Sequence, residues 1–391
     1  MAEQGRERHR RPPLVLAFMI AAAIADGTGI ANYLTVVLWL KDQGTALEAL
    51  GALAALSTMV YTATVGPIGN LAEQLGIRRL ASLGAFLMAV SNLLMFFGSS
   101  RALLIAGLAF KGLGSAFFWP SLTSWLGRGA PPHVLPRRVA AYNLGWCGGQ
   151  LFGLASAGWL FDTIGGLPSF AVYGIFSLVL AGGVWLLPLP AAVSASSGEQ
   201  NLKPSTRNER LAAWIANYAA YSALFLVRPL FAPQTMEQLG LSATLAGWAN
   251  AAVAMVQVSV FAWLGLRRPH LARGRMLVPA LLVGLVALLV AGLVGGWWLF
   301  LLLPAVGFMA GATNSTSLYH SVSGQKNAAR GSGLHETVLG SAMIVAPILG
   351  GWLAQHISYD IAWLYGALVA MGALLAVLGL RRAARGRPAK V

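Results

Sequence analysis

Gly69-Asn70-Leu71-Ala72-Glu73-Gln74-Leu75-Gly76-Ile77-Arg78-Arg79 is a short polar break between two long apolar runs. Gly69 permits close helix packing and Gly76 a tight turn. Glu73 can accept hydrogen bonds from helix ends and from basic partners. Arg78 and Arg79 set positive charge at the far edge of the break. Taken alone, the segment is a charged, turn-forming loop, and its flanks decide what it means.

Working outward, apolar stretches of about 20 residues, the length needed to cross a hydrocarbon core, recur along the whole chain. They predict helices over 14–39, 48–70, 80–98, 102–124, 139–161 and 170–190, then 211–232, 243–266, 276–296, 298–320, 331–355 and 359–380. The first run is too long for a signal-peptide core and lacks a small-residue cleavage site. Only 10% of the 391 residues are charged and 57% are hydrophobic, whereas soluble domains carry roughly 25% charged residues. A lipid-facing surface explains the deficit.

The net charge of +15 does not point to nucleic acid, because the basic residues punctuate apolar runs rather than cluster on one soluble face. They instead report orientation, since short loops rich in Lys and Arg stay cytoplasmic. With both termini inside, Lys41 and Arg101 fall outside and Lys111 and Arg228 fall within spans. All the other Lys and Arg residues lie on the cytoplasmic side. The polar stretch 191–210 has linker composition and divides the chain into 1–190 and 211–391, two six-helix bundles joined by a cytoplasmic connection.

The two halves repeat. Gly158-Trp159-Leu160 recurs as Gly351-Trp352-Leu353, and Gly44 and Gly51 recur as Gly240 and Gly247, with nearly one offset of about half the chain. Parallel repeats of this kind build one major transporter architecture.

With that topology, the opening segment resembles the signature G-x-L-A-D-R-x-G-R-K/R of the major facilitator superfamily. Gly69, Leu71, Ala72, Gly76 and Arg78 match, Glu73 stands for the Asp, and Gln74 and Ile77 depart from the usual Arg positions. Gly149, Gly153 and Gly158 resemble that superfamily's antiporter pattern, but Leu154 occupies the Pro position; close helix packing and a hinge are both open readings. The resemblance implies an all-α integral membrane protein with twelve transmembrane helices in two pseudo-symmetric six-helix bundles. It also implies that helices 1, 4, 7 and 10 line a central cavity, that 3, 6, 9 and 12 face lipid, and that Gly69, Glu73, Gly76, Arg78 and Arg79 act in gating.

Ionisable groups inside a membrane are costly and normally face a cavity or a partner. Asp26, Lys111, Arg228 and Glu336 are such groups, and none falls on a lipid-facing helix. Asp26 is the leading candidate for proton coupling, with a structural ion pair to Lys111 as the alternative; Glu336 couples protons or braces the gate. Lys111 can take an anionic group, and Arg228 either does so through its planar fork or snorkels outward. Pro229 and Pro233 predict a break in helix 7. His335 and Glu336 are adjacent and do not share a helix face. Asn32, Tyr33, Trp119, Asn143, Gln150, Asn217, Gln257 and Asn314 complete the expected substrate cavity, with Tyr218, Asn250, Trp146 and Trp248 as further candidates.

No enzyme motif competes. The His residues lack metal-ligand spacing, no phosphate-binding loop is present, and the single Cys147 cannot form an intrachain disulfide. The expectation is a monomeric, proton-coupled secondary transporter in the inner membrane that needs no metal or cofactor. It moves a small organic solute by alternating access and leans toward efflux of amphiphiles. Uptake of a sugar or organic anion is the alternative within transport. A non-transporting sensor or assembly partner is the alternative of another class.

Overall fold

The computed structural model describes residues 12–98, 100–127, 135–187, 205–264, 274–322 and 328–385. Within these, the side chains of 12–15, 69–75, 123–127, 135–140, 322, 328–333 and 384–385 lie outside the description. The basic residues before Pro12, most of the 191–210 connection, and the side chains of Glu73, Arg137 and Arg330 are therefore outside the described residues.

Twelve α-helices follow one another: α1 Pro12–Asp42, α2 Leu47–Leu75, α3 Ile77–Phe96, α4 Arg101–Gly127, α5 Leu135–Ile164, α6 Gly166–Leu186, α7 Arg207–Leu239, α8 Ala243–Ala262, α9 Leu277–Leu293, α10 Leu302–Val322, α11 Ala328–His356 and α12 Tyr359–Arg385. Among the described residues ten spans, in every helix except α5 and α9, are long and apolar enough to cross a membrane, and α9 is a shorter apolar helix. A 3₁₀ turn, Gly296–Leu301, leads into α10.

Local chemistry sets the ends. Thr206 and Glu209 form a reciprocal capping box at the start of α7, Glu209 N–H donating to Thr206 Oγ1 at 3.2 Å and Thr206 N–H to Glu209 Oε2 at 2.8 Å. Gly76 closes α2 with a φ of 82°, a conformation that strains a residue bearing a Cβ. Gly44 and Gly240, equivalent positions in the two halves, both have positive φ, 68° and 64°.

The expected break in helix 7 does not occur: α7 runs unbroken through Pro229 and Pro233. All residues from Ala219 to Thr235 are buried against α8, α10, α11 and α12. That packing holds the helix through positions where proline removes two backbone bonds, as neighbouring helices can in a membrane.

Within the first half, α1 packs on α5 and α6, and α3 on α4 and α6; within the second, α7 packs on α10, α11 and α12, and α9 on α12. The halves meet along two seams, α5 with α8 and α2 with α11. α3, α6, α9 and α12 turn large apolar side chains outward, such as Phe86, Phe176, Val286 and Leu368, as lipid-facing helices should.

Both seams are tightest at the end that carries the α1–α2 and α7–α8 turns. A Cβ at Gly51 would meet the Pro347 carbonyl and sit 3.3 Å from Gly351 Cα; one at Gly247 would sit 3.2 Å from Gly158 Cα. Polar contacts add to the closure. Lys41 pairs with Glu237, Tyr359 donates to Glu237 at 3.0 Å, Leu47 N–H donates to Gln355 at 2.8 Å, and Asp162 accepts from Thr244 N–H at 2.7 Å. Toward the other end, Gly66 and Pro67 of α2 and Leu334, Glu336 and Thr337 of α11 are exposed. The halves thus close against each other by backbone contact at one end, the sealed end, while at the other, the open end, these α2 and α11 residues are accessible.

Candidate substrate and proton site

Small residues bring the first functional group into place. Gly149 and Gly153 seat α5 directly on α1: a Cβ at Gly27 would lie 2.9 Å from the Gly149 carbonyl oxygen. Gly149 and Gly153, read from the sequence as packing or hinge residues, thus pack. This contact sets Gln150, next along α5, beside Asp26 of α1.

Gln150 is the centre of the site. Its Oε1 accepts from Arg228 Nη2 at 2.6 Å, and Asp26 lies close by on α1. This bond joins α5 of the first half to α7 of the second. Asp26 Oδ2 has no hydrogen-bond partner among the described residues.

Arg228 does not snorkel. Its side chain is 8% exposed and lies over the Phe225 ring, 4.7 Å from the centroid, a cation–π arrangement. The Asp26 to Lys111 ion pair does not form either. Lys111 Nζ donates instead to the Gly29 carbonyl at 2.8 Å and to Asn32 Oδ1 at 3.0 Å, and stands 5.7 Å from the Tyr33 ring centroid. Asn32 in turn donates to Asn92 Oδ1 at 2.9 Å. Tyr33 meets Phe225 across the halves at 6.4 Å, and its hydroxyl is buried without a hydrogen-bond partner among the described residues.

Asp26, Asn32, Tyr33, Lys111, Gln150 and Arg228 thus converge. The remaining candidates line other walls. Trp146 donates to Asn143 at 3.0 Å and faces Phe261 of α8 at 5.7 Å, while Trp119 meets Tyr142 at 6.2 Å. In the second half Asn217 accepts from Thr313 at 3.2 Å. The Gln257 amide and Asn314 Oδ1 are buried with no hydrogen bond of good geometry, Gln257 lying beside Tyr221. Such unmet buried polar atoms are what a polar ligand or water would satisfy.

Glu336 is exposed toward the open end and sits apart from the cluster, interacting with Tyr61 and Tyr142. His335 beside it is buried and bonded to Ser317 at 2.8 Å, so the two point apart as their spacing requires. Among the described residues Asn250 bonds its own helix, at Ala246 O. Trp248 is 57% exposed and belongs to the outer surface of α8, not to the cavity; an aromatic on a flanking helix has two faces available, and spacing alone did not choose between them. In the opening segment, Gly76 forms the turn, Arg78 is half-buried and Arg79 exposed.

Asn92, Tyr142 and Tyr221 also belong to this polar track. Asn92 lies on α3, which the resemblance assigned to lipid, and a survey of intramembrane amides on every helix is the signal that finds it.

A multi-pass bundle whose charged groups meet between two repeated halves defines a secondary transporter with a small-molecule substrate. The chain matches the Major Facilitator Superfamily over residues 16–347 and belongs to that superfamily. Among solved structures it is similar to a bacterial homolog of the human lysosomal transporter Spinster. In the inward-facing, occupied conformation of that protein the TM-score is 0.76 at 13% identity, covering 97% of this chain and 99% of that one. In its inward-facing, unoccupied conformation the values are 0.75 and 13%, covering 97% and 100%. At this identity the likeness concerns the fold alone. No curated protein matches the sequence.

Proposed function

We propose that this chain is a proton-coupled transporter of an amphiphilic organic solute bearing an anionic group, with Asp26 as the proton-exchanging carboxylate. The observation that carries the reading is the buried Arg228 of the second half, bonded to Gln150 of the first half, with Asp26 beside them holding a carboxylate oxygen that has no hydrogen-bond partner among the described residues. Around it, two cations, Lys111 and Arg228, face one carboxylate, an excess of positive charge suited to a carboxylate, sulfonate or phosphate. Tyr33, Phe225, Trp146 and Phe261 offer apolar surface for the rest of the solute. Glu336, at the open mouth, is the second proton-coupling candidate.

In this reading the protein works as a monomer in the inner membrane, with both termini and the 191–210 connection cytoplasmic. The open end is then the cytoplasmic one. Gly69, Glu73, Gly76, Arg78 and Arg79 act at that rim, in gating rather than in substrate choice. The aromatic walls also support a second reading, efflux of amphiphilic compounds without an anionic group.

The test is a solute screen in vesicles with imposed pH gradients of both signs. Gradient-driven movement of organic anions that stops in Asp26→Asn and Arg228→Gln supports the first reading. Transport restricted to neutral or cationic amphiphiles, indifferent to Arg228→Gln, supports the second.

A further inference from the structure

We infer that Asn92 is a positioning residue for the anion site: through Asn32 it fixes the Lys111 ammonium with neutral dipoles, so that the charge of Lys111 is left for the solute. This rests on the anionic reading of the site.

The hydrogen bonds form a relay with one direction. Asn92 Nδ2 donates to the Met88 carbonyl of its own helix at 2.8 Å, which makes Oδ1 the end of that amide turned toward α1. Asn92 Oδ1 accepts from Asn32 Nδ2 at 2.9 Å. A carboxamide has one donating and one accepting end, so this bond aims Asn32 Oδ1 at α4, where it accepts from Lys111 Nζ at 3.0 Å. The Gly29 carbonyl accepts from the same Nζ at 2.8 Å. Without Asn92, nothing in this chain of bonds would hold the Asn32 amide in the orientation that meets the ammonium.

The backbone frame around the relay is tight. Gly107 and Gly114, on either side of Lys111, seat α4 on α3: a Cβ at Gly107 would lie 3.0 Å from the Ser91 carbonyl oxygen, and one at Gly114 3.0 Å from Met88 N. Ser91 Oγ also donates to the Gly107 carbonyl at 2.7 Å. Asn92 is thereby carried to the α1 face beside Lys111.

Burial separates the roles. Asn32 and Asn92 are 1% and 4% exposed with both ends of each amide engaged, whereas Lys111 is half-buried. A solute can reach Lys111 but not the amides behind it, so Asn32 acts on the cation rather than on the solute. A cation withdrawn from water needs either a counter-charge or hydrogen-bond acceptors. A carboxylate would cancel the charge, while carbonyl oxygens solvate it and leave it uncancelled. An ammonium has three N–H donors; among the described residues two are committed to oxygen acceptors, and the third is left for an anionic group.

The experiment is a double-mutant cycle on hexanesulfonate, an amphiphilic anion that stays ionised, binding to the full chain in lipid nanodiscs, read by calorimetry. Lys111→Met should weaken binding about tenfold, and Asn92→Leu by several-fold to roughly tenfold. In the Lys111→Met background, Asn92→Leu should add less than about twofold, because it acts through the ammonium. If Asn92→Leu does not fold, Asn92→Ser replaces it. That hydroxyl can bond the Met88 carbonyl, as Ser177 bonds the Tyr173 carbonyl at 2.9 Å, but is too short for Asn32, and it should give the same loss and the same coupling. Where binding to Lys111→Met is too weak to measure, thermal unfolding of the unliganded chain carries the comparison. The variant at Asn92 should then lower the melting temperature less in Lys111→Met than in wild type.

An equal effect of the Asn92 variant in both backgrounds, or undiminished affinity in the Asn92 variant or in Lys111→Met, overturns the positioning role and leaves the anionic reading to Arg228. Failure of hexanesulfonate to bind wild type overturns the anionic reading itself, and the inference with it.

Discussion

The sealed end of the molecule and its midplane hold the two halves together by opposite means. At the sealed end, backbones touch: Gly51 lies against Gly351 and Pro347, and Gly158 against Gly247 and Ala243, with polar contacts such as Lys41–Glu237 at the rim. At the midplane no such approach exists between the charged groups, and one amide, Gln150, spans the gap. The first junction is governed by shape and the second by charge. In the proposed cycle the shape-matched seam would open and close as a unit and the midplane contact would respond to the bound solute.

The contrast can be broken first at the seam. Gly51→Leu drives a side chain into the Pro347 carbonyl, and overpacking of this kind costs about 1–3 kcal/mol, which shifts the sealed state by roughly 5- to 150-fold. Cysteines placed near Thr45 should become reactive from the outer face, and transport should fall for every solute. Unchanged reactivity with normal transport would remove the seam from the gate.

At the midplane, Asp26→Asn should abolish gradient-driven accumulation yet keep downhill exchange. Because Lys111 bonds Gly29 and Asn32 rather than Asp26, the variant should fold at near-parental yield. A collapse in yield recovered by adding Lys111→Met would instead restore the structural ion pair. Parental accumulation by folded Asp26→Asn would remove the coupling role.

Gly76→Leu is a milder intervention at the open rim. A side chain at φ 82° costs roughly 1–2 kcal/mol, and turnover should drop several-fold for all solutes alike. Selective loss of one solute would argue for a part in recognition.

The smallest effect belongs to the rim of the sealed end. The side chains of Lys41 and Glu237 are 24% and 41% exposed, and a pair so accessible contributes about 0–1 kcal/mol. Glu237→Gln should favour outer opening only a few-fold, an effect that high salt should erase in wild type. A larger shift would give charge a weight at the seam that the glycine contacts deny it.

Much of this was legible before any coordinates. Lipid demands apolar runs, so the helices announced themselves, and Lys and Arg punctuate them. Gly44, Gly51, Gly158 and their repeats stood out because backbone approach and positive φ tolerate few other residues. Asp26, Lys111 and Arg228 were conspicuous because charge is expensive in hydrocarbon. Their pairing was not legible. Arg228 and Lys111 have long side chains whose ends can reach several partners, and the partner of each was settled by packing far away in sequence. The continuity of α7 through two prolines was hidden for the same reason, since burial by four other helices leaves no mark on the local sequence. Trp248 and Asn92 misled in opposite directions, each lying on the face of its helix that a helix-wide assignment ignored.

The glycine contacts have a consequence in the language of symmetry. Gly51 touches Gly351, the repeat equivalent of Gly158; Gly158 touches Gly247, the repeat equivalent of Gly51. Position i of one half meets position j of the other, and j meets i, which defines an isologous interface, here joined covalently through the 191–210 connection. The chain is in this sense a two-fold dimer written as a single polypeptide. A six-helix half therefore carries both surfaces needed to recognise its complement, and splitting the protein within the connection should yield two fragments that find each other in the bilayer.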